Sequence, residues 1–238
     1  MSPLTTESPG RLTPELESAL VGGFDVIRQL GSGGTGVVYL ARHRSSQRTV
    51  ALKFLHPDFT GQAAVVDAFI EEARTVARLG HENIIDIFYG GRFADGCPFL
   101  AMEYLDGSDL SNVLALEGPL PWKTARTIFL QVARALEAAH AVGVVHGDIK
   151  PSNVFVVPRV SSIGVKVLDF GAAQLTGGRQ DAASLTRSPL MATPQYMAPE
   201  QVAGSAIDAR ADVYALGCVM YQALCGVLPI EGTDALDV

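Results

Sequence analysis

The sequence predicts an α+β chain in two lobes, a strand-rich antiparallel N-terminal part carrying one helix and a mostly helical C-terminal part. Three observations carry that expectation. Short apolar strands punctuated by glycine turns fill the chain up to about Glu103. A single amphipathic helix interrupts them from about Gln62 to Leu79, with Val65, Phe69, Val76 and Leu79 on one stripe. Beyond it long helices dominate: Pro121 to Ala141, and a segment opening at Asp212 that is apolar on all sides and so belongs at a lobe's centre.

A chain of 238 residues can bury a real core, as one large domain or as two lobes sharing a cleft. Apolar residues make up 48% and charged residues 18%, a globular rather than a disordered balance. The net charge of −7 argues against nonspecific nucleic-acid binding and against a membrane-surface role. Cys97, Cys218 and Cys225 are an odd count without CxxC spacing, which reads as reduced thiols. No basic stretch followed by an apolar run opens the chain, so secretion is not expected. The most apolar window, Val213 to Leu228, is broken by Gly217, Gln222 and Gly226 and is too short for an untilted membrane span. The expectation is a cytoplasmic protein with no membrane segment.

Residues 1–23 form a lead-in with little to bury, in which Thr13-Pro14-Glu15 could cap a short helix to Val21. Phe24 to Leu30 and Val37 to Arg42 are strand candidates around Gly31-Ser32-Gly33-Gly34-Thr35-Gly36. A glycine run of this form also marks dinucleotide folds, but those need a helix next, so that its N-terminus meets the pyrophosphate. Here Val37-Val38-Tyr39-Leu40 continues as strand, which makes a nucleotide flap whose glycines admit phosphate close to the backbone. In the third strand, Thr49 to Phe54, Ala51 and Lys53 share one face and Val50, Leu52 and Phe54 the other. On the helix that follows, Glu72 sits inside the apolar stripe while Glu71 is rotated toward solvent. A carboxylate on such a stripe is costly unless paired, and Lys53 is its natural partner.

Ile84 to Phe88 and Phe99 to Met102 read as two more strands, with turn signals at Gly90-Gly91 and Asp95-Gly96. The helix from Pro121 buries Ala125, Phe129, Val132, Leu136 and Ala139. After Gly143 comes the polar loop His146-Gly147-Asp148-Ile149-Lys150-Pro151-Ser152-Asn153, then the strand Val154 to Val157. A second strand, Val165 to Leu168, leads to Asp169-Phe170-Gly171. Asp148 and Asp169 with Asn153 between them suit a metal–phosphate site with a base for an incoming hydroxyl.

These motifs resemble, collinearly from about Phe24 to Ile230, a eukaryotic-type (Hanks-type) serine/threonine protein kinase of the bacterial kind, with Gly147 where the family usually has Arg. The resemblance implies a bilobal kinase fold, with residues 24–103 as the N-lobe and 104–238 as the C-lobe. It implies ATP, magnesium (or manganese in its place) and a protein substrate. It makes Lys53 the phosphate-gripping lysine paired with Glu72, Asp148 the base, Lys150 the residue that steadies the moving phosphoryl group, and Asn153 and Asp169 the metal ligands. ATP contacts are implied for Leu30, Gly31, Ser32, Gly33, Gly34, Thr35, Gly36, Val38, Ala51, Met102 (the gatekeeper), Glu103, Leu105, Asp109 and Phe155. For Asp109 a helix-cap role remains open beside a ribose contact. Val38, Ala51 and Phe155 would sandwich the adenine, and His146, Phe170, Val76 and Ile87 would form the family's regulatory stack.

The run from Ala192 to Glu200 resembles the kinase substrate-docking segment, with Thr193 contacting Asp148 and Lys150. Asp212 is expected to bond catalytic-loop backbone amides. Gly147 offers no charge to a phosphate on Ser184, Thr186 or Ser188, leaving Arg179, Arg187 or Arg74 as local alternatives. Kinases of this kind continue with further helices under the central one, so the C-lobe is expected to be incomplete at Val238. Two other readings compete: an aminoglycoside-type phosphotransferase, since those enzymes also carry H-G-D followed by Asn, and a non-catalytic regulatory module.

Overall fold

The computed structural model describes residues 22–33, 36–170 and 194–230. Five strands form one antiparallel sheet in the order β1-β2-β3-β5-β4, comprising β1 (Phe24–Gly33), β2 (Gly36–His43), β3 (Thr49–Leu55), β4 (Ile87–Arg92) and β5 (Pro98–Glu103). Between β3 and β4 lie a short helix α1 (Pro57–Thr60), which the sequence pattern did not reveal, and α2 (Ala63–Leu79). Alternation along β3 builds the two faces. Val50, Leu52 and Phe54 pack with Phe24, Phe93, Phe99 and Ala101. On the other face Leu55 and Leu100 meet Val66, Phe69 and Ala73 of α2. Helix α2 follows Gln62 and stops at Gly80, whose φ of 54° is left-handed and ends the hydrogen-bond ladder.

Two expectations near β4 need correction. The strand begins at Ile87 rather than Ile84, because the backbone of the preceding residues is spent elsewhere: Val167 N–H donates to Asn83 O at 2.8 Å and Ile85 N–H to Val167 O at 3.0 Å. Gly90-Gly91 is strand, not turn. A Cβ at Gly90 would lie 2.6 Å from Leu100 Cδ2 and 3.2 Å from Ala73 Cβ, so glycine lets α2 and the sheet close on each other. The turn at Asp95-Gly96 is present.

The second lobe is built on β6 (Ser108–Asp109), α3 (Leu110–Glu117), α4 (Trp122–His140), a 3-10 turn at Pro151–Asn153, β7 (Val154–Arg159), β8 (Ser162–Val167), a 3-10 turn at Pro194–Tyr196, α5 (Pro199–Val202) and α6 (Ala209–Cys225). Its core joins Ala125, Ile128, Phe129, Val132 and Leu136 of α4 to Val154, Val165 and Val167 of the strands and Val219 and Ala223 of α6. Full burial of side chains of this size contributes roughly 1.5–3 kcal/mol each. Among the described residues α6 is covered on one side only: Ala211, Asp212, Ala215, Cys218 and Val219 are buried, whereas Val213 is 63% and Tyr221 45% exposed. No helix among the described residues is long and apolar enough to cross a membrane.

Candidate active site

The loop from His146 to Asn153 hangs from one buried carboxylate. Asp212, fully buried at the start of α6, accepts from His146 N–H at 2.9 Å, from Gly147 N–H at 2.7 Å and from His140 Nε2 at 2.7 Å. A carboxylate withdrawn from water is tolerable only with such partners. The amide bonds are the ones expected of Asp212; the contribution of His140, from the end of α4, was not foreseen. Gly147 has φ 75°, a conformation that costs an L side chain strain, so glycine here has a backbone reason as well as an electrostatic consequence.

The ring of His146 ties this loop to the end of β8. Its Nε2 lies 2.8 Å from Leu168 O, a pure acceptor, so Nε2 carries the hydrogen. Nδ1 is then free to accept from Asp148 N–H at 3.2 Å. Phe170 packs against the same ring, centroids 4.6 Å apart, in the cluster that also holds Val76 and Ile87. Of the expected stack, the His146–Phe170 contact is formed, and Val76 and Ile87 belong to the same core cluster as Phe170.

Asp148 Oδ2 receives Lys150 Nζ at 2.7 Å and Asn153 Nδ2 at 3.2 Å. Burial pushes the Asp148 carboxyl above its ordinary pKa, and the charge and hydrogen bond of Lys150 pull back against it. Asn153 Nδ2 also donates to Asp148 O at 2.8 Å, and Leu168 N–H donates to Asn153 O at 2.9 Å. The amide hydrogens of Asn153 are thus directed at Asp148, which leaves Oδ1 as its donor atom for a cation.

Lys53 and Asp169 meet from opposite lobes, Nζ to Oδ1 at 2.7 Å, with Lys53 buried on β3. Burial alone would lower the pKa of the ammonium; the charge of Asp169, then that of Glu72, reverses this and raises it. For Asp169 burial opposes ionisation, but Lys53 holds the carboxyl below its ordinary pKa. Asp169 itself sits at φ 52°, which no residue pattern announced.

Glu72 is where expectation and structure part. It lies on the inward side of α2 close enough to feel Lys53, whereas Glu71 pairs with Arg74 in solvent. Yet among the described residues Glu72 makes no ion pair or hydrogen bond; the ammonium meant for it is bound to Asp169. Burial therefore dominates and raises its pKa to about 8, with Lys53 only partly compensating. The pair Lys53–Glu72 is not closed in this conformation.

The cleft face above these groups is a matter of register. Val38 lies opposite Lys53, and Ala51 opposite Met102, so all four share one side of the sheet. Leu30 is half-buried in β1, at a bulge, and Gly31, Ser32 and Gly33 end that strand exposed while Gly36 opens β2. Gly34 and Thr35 lie outside the described residues, as do Thr193, Gly171, Ser184, Thr186, Ser188, Arg179 and Arg187. Glu103 N–H donates to Asp86 O at 2.9 Å, and Leu105 follows half-buried in the inter-lobe connection. Asp109 caps α3, with Oδ1 accepting from Asn112 N–H at 3.0 Å and from the Ser111 hydroxyl, and Oδ2 from Asn112 Nδ2 at 2.6 Å. The cap reading is the one its contacts favour. Phe155 pairs with Asp109 across β6 and β7.

Sequence reasoning missed Lys166. From β8 it reaches Glu103 Oε1 at 2.5 Å and Ile84 O at 3.0 Å, with Asp86 at 3.7 Å, and so ties the C-lobe strand to the inter-lobe connection. The signal was available: a lysine between Val165 and Val167 breaks an apolar strand as Lys53 does.

Known proteins similar to this chain identify its family. The family model for the protein kinase domain matches residues 24–237. The chain is 42% identical over 209 residues to the serine/threonine-protein kinase pkn3 of Myxococcus xanthus, covering 87% of this chain and 38% of that protein. It is 35% identical over 212 residues to the serine/threonine-protein kinase PknB of Mycobacterium tuberculosis, covering 88% and 33%. It spans about a third of the length of these relatives. The crystal structure of the PknI kinase domain of M. tuberculosis is similar with a TM-score of 0.70 at 32% identity, over 88% of this chain and 75% of that one. Family model, relatives and fold converge, and this chain belongs to the protein kinase domain family.

Proposed function

We propose that this chain is a serine/threonine protein kinase domain that moves the γ-phosphoryl group of ATP to a protein hydroxyl. The observation that carries the reading is the convergence of Asp148, Lys150 and Asn153 on one side and Lys53 and Asp169 on the other, beneath a sheet face made of Val38, Ala51 and Met102. The related proteins named serine/threonine-protein kinases support the same reaction.

The donor set fits a hard divalent cation. Asn153 Oδ1 and the Asp169 carboxylate are oxygen ligands, and magnesium characteristically takes one or two protein oxygens and completes its shell with phosphate and water. When bound, that ion would neutralise phosphate charge. Everything else falls to the chain's own groups. Asp148 orients the acceptor hydroxyl and takes its proton as the new O–P bond forms and the bond to ADP breaks. Lys150, already on Asp148, balances charge on the moving group. Lys53 holds phosphate oxygens, and Val38, Ala51, Met102 and Phe155 enclose the base, with the backbone at Glu103 and Leu105 facing its edge. The glycine turn covers the phosphates, and Thr193 places the protein substrate.

The test is incubation of the purified chain with γ-labelled ATP and magnesium, a generic basic protein in one arm and an aminoglycoside panel in the other. Label on serine or threonine of the protein is the expected result. Label on the aminoglycosides alone would replace this reading with the small-molecule one, and no transfer in either arm would overturn catalysis by this chain.

A further inference from the structure

Gly147 has no side chain with which to grip the segment that follows the active site, yet the two are joined. Gln201, in α5, spans the gap with a single amide. Its Oε1 accepts from Ala198 N–H at 2.9 Å, closing the start of α5, and its Nε2 donates to Gly147 O at 2.8 Å. The carbonyl it holds belongs to the same peptide unit as Asp148 N–H, which is bonded to His146 Nδ1. The preceding peptide unit is held at Gly147 N–H by Asp212. Gly147 is therefore pinned from both sides, by α6 on its N–H and by α5 on its carbonyl. The pin matters because glycine at φ 75° has the widest freedom of any residue to rotate the peptide that carries Asp148.

We propose that Gln201 is a positioning residue for phosphotransfer. It locks the Gly147–Asp148 peptide to the start of α5, so that the base is aimed by that helix. A neutral amide thereby makes the junction for which Gly147 offers no side chain. The proposal rests on the phosphotransfer reading for its catalytic consequence, not for its structural one.

Two substitutions in the full chain test it. Gln201→Met keeps length and removes both hydrogen bonds. Gln201→Glu keeps the acceptor for Ala198 but, ionised, sets oxygen against the Gly147 carbonyl. Both should lower kcat about tenfold, the worth of one hydrogen bond, while KM for ATP stays within about twofold. For Gln201→Glu the ratio of its rate to the parent's should climb as pH falls from 7 toward about 4.5, where a glutamate carboxyl takes up its proton and can donate again; for Gln201→Met the ratio should stay flat. Hydrogen exchange across residues 144–150 should quicken in both at pH 8. The proposal is overturned by a Gln201→Met kcat within twofold of the parent. It is equally overturned by a pH-flat ratio for Gln201→Glu with unchanged exchange, which would mark a packing role only. If Gln201→Met fails to fold, Gln201→Glu with its pH profile decides. If the parent transfers no phosphate, the proposed function has failed, and exchange across 144–150 alone decides whether Gln201 holds the loop.

Discussion

The loop around Asp148 and the pocket around Lys53 meet at Asp169, but they are held in different ways. In the loop the groups that place Asp148 have fixed partners: Asp212 on two amides, His146 on Leu168 and Asp148, Asn153 on Asp148. Around Lys53 there are two carboxylates for one ammonium, and only Asp169 has it. The first arrangement has one solution. The second has at least two, and which is adopted depends on what else claims Asp169. A fold can therefore prepare the chemistry completely while leaving the grip on the nucleotide to be chosen.

The largest effect should come from the chemistry itself. Asp148→Asn removes the base and keeps the shape, so turnover should fall about 10²–10⁴-fold while ATP still binds, read by kinetics beside nucleotide-binding calorimetry. Near-parental turnover would move the base elsewhere and break the contrast at its rigid end.

Next comes the anchor. Asp212→Ala leaves two buried amides and His140 without their acceptor, and breaking a buried polar cluster of this kind costs about 3 kcal/mol or more. Urea unfolding should show a lower midpoint at an unchanged slope, with activity lost in parallel. If stability were unaltered, the loop would be held by packing and not by Asp212.

Gly147→Ala should cost about 1–2 kcal/mol, the strain of a left-handed L residue, visible as a lower melting temperature. A neutral result would mean that the backbone relaxes to negative φ, and that the glycine matters only for the charge it lacks.

How far these features could be read in advance follows their range. The faces of β3, the stripe of α2 and the choice of Glu72 over Glu71 are local periodicities, and they were legible. The loop residues were legible as a pattern of types at fixed spacing, and Asp212 through the resemblance. What was not legible depends on tertiary geometry. The start of β4 moved because residues 83–85 bond to β8, 82 positions away in the case of Asn83 and Val165. Gly90 resembles a turn until α2 is placed against it. Lys166 and Gln201 act on partners that no local rule names. Whether Lys53 takes Glu72 or Asp169 is a conformational choice between two acceptors that the sequence supplies equally.

That choice gives the most discriminating expectation. With its pKa raised from 4.5 to about 8, Glu72 keeps its proton in the folded state over a range where the unfolded chain has released it. The unfolded state then binds fewer protons than the native one, so stability falls as pH rises. The contribution is fully present below about 4.5 and gone by about 8. Gln in place of Glu72 mimics the protonated form and should remove this slope. The variant and parent should melt alike near pH 5, and the variant higher near pH 8, by about 2–4 °C for each kcal/mol involved. Adding ATP and magnesium gives Asp169 a second claimant and frees Lys53 for the Glu72 carboxylate. The parent should then gain more stability from the nucleotide at pH 8 than Glu72→Gln does. Equal gains would show that the Lys53–Glu72 pair does not form when nucleotide binds, and that the two-solution pocket has in fact one.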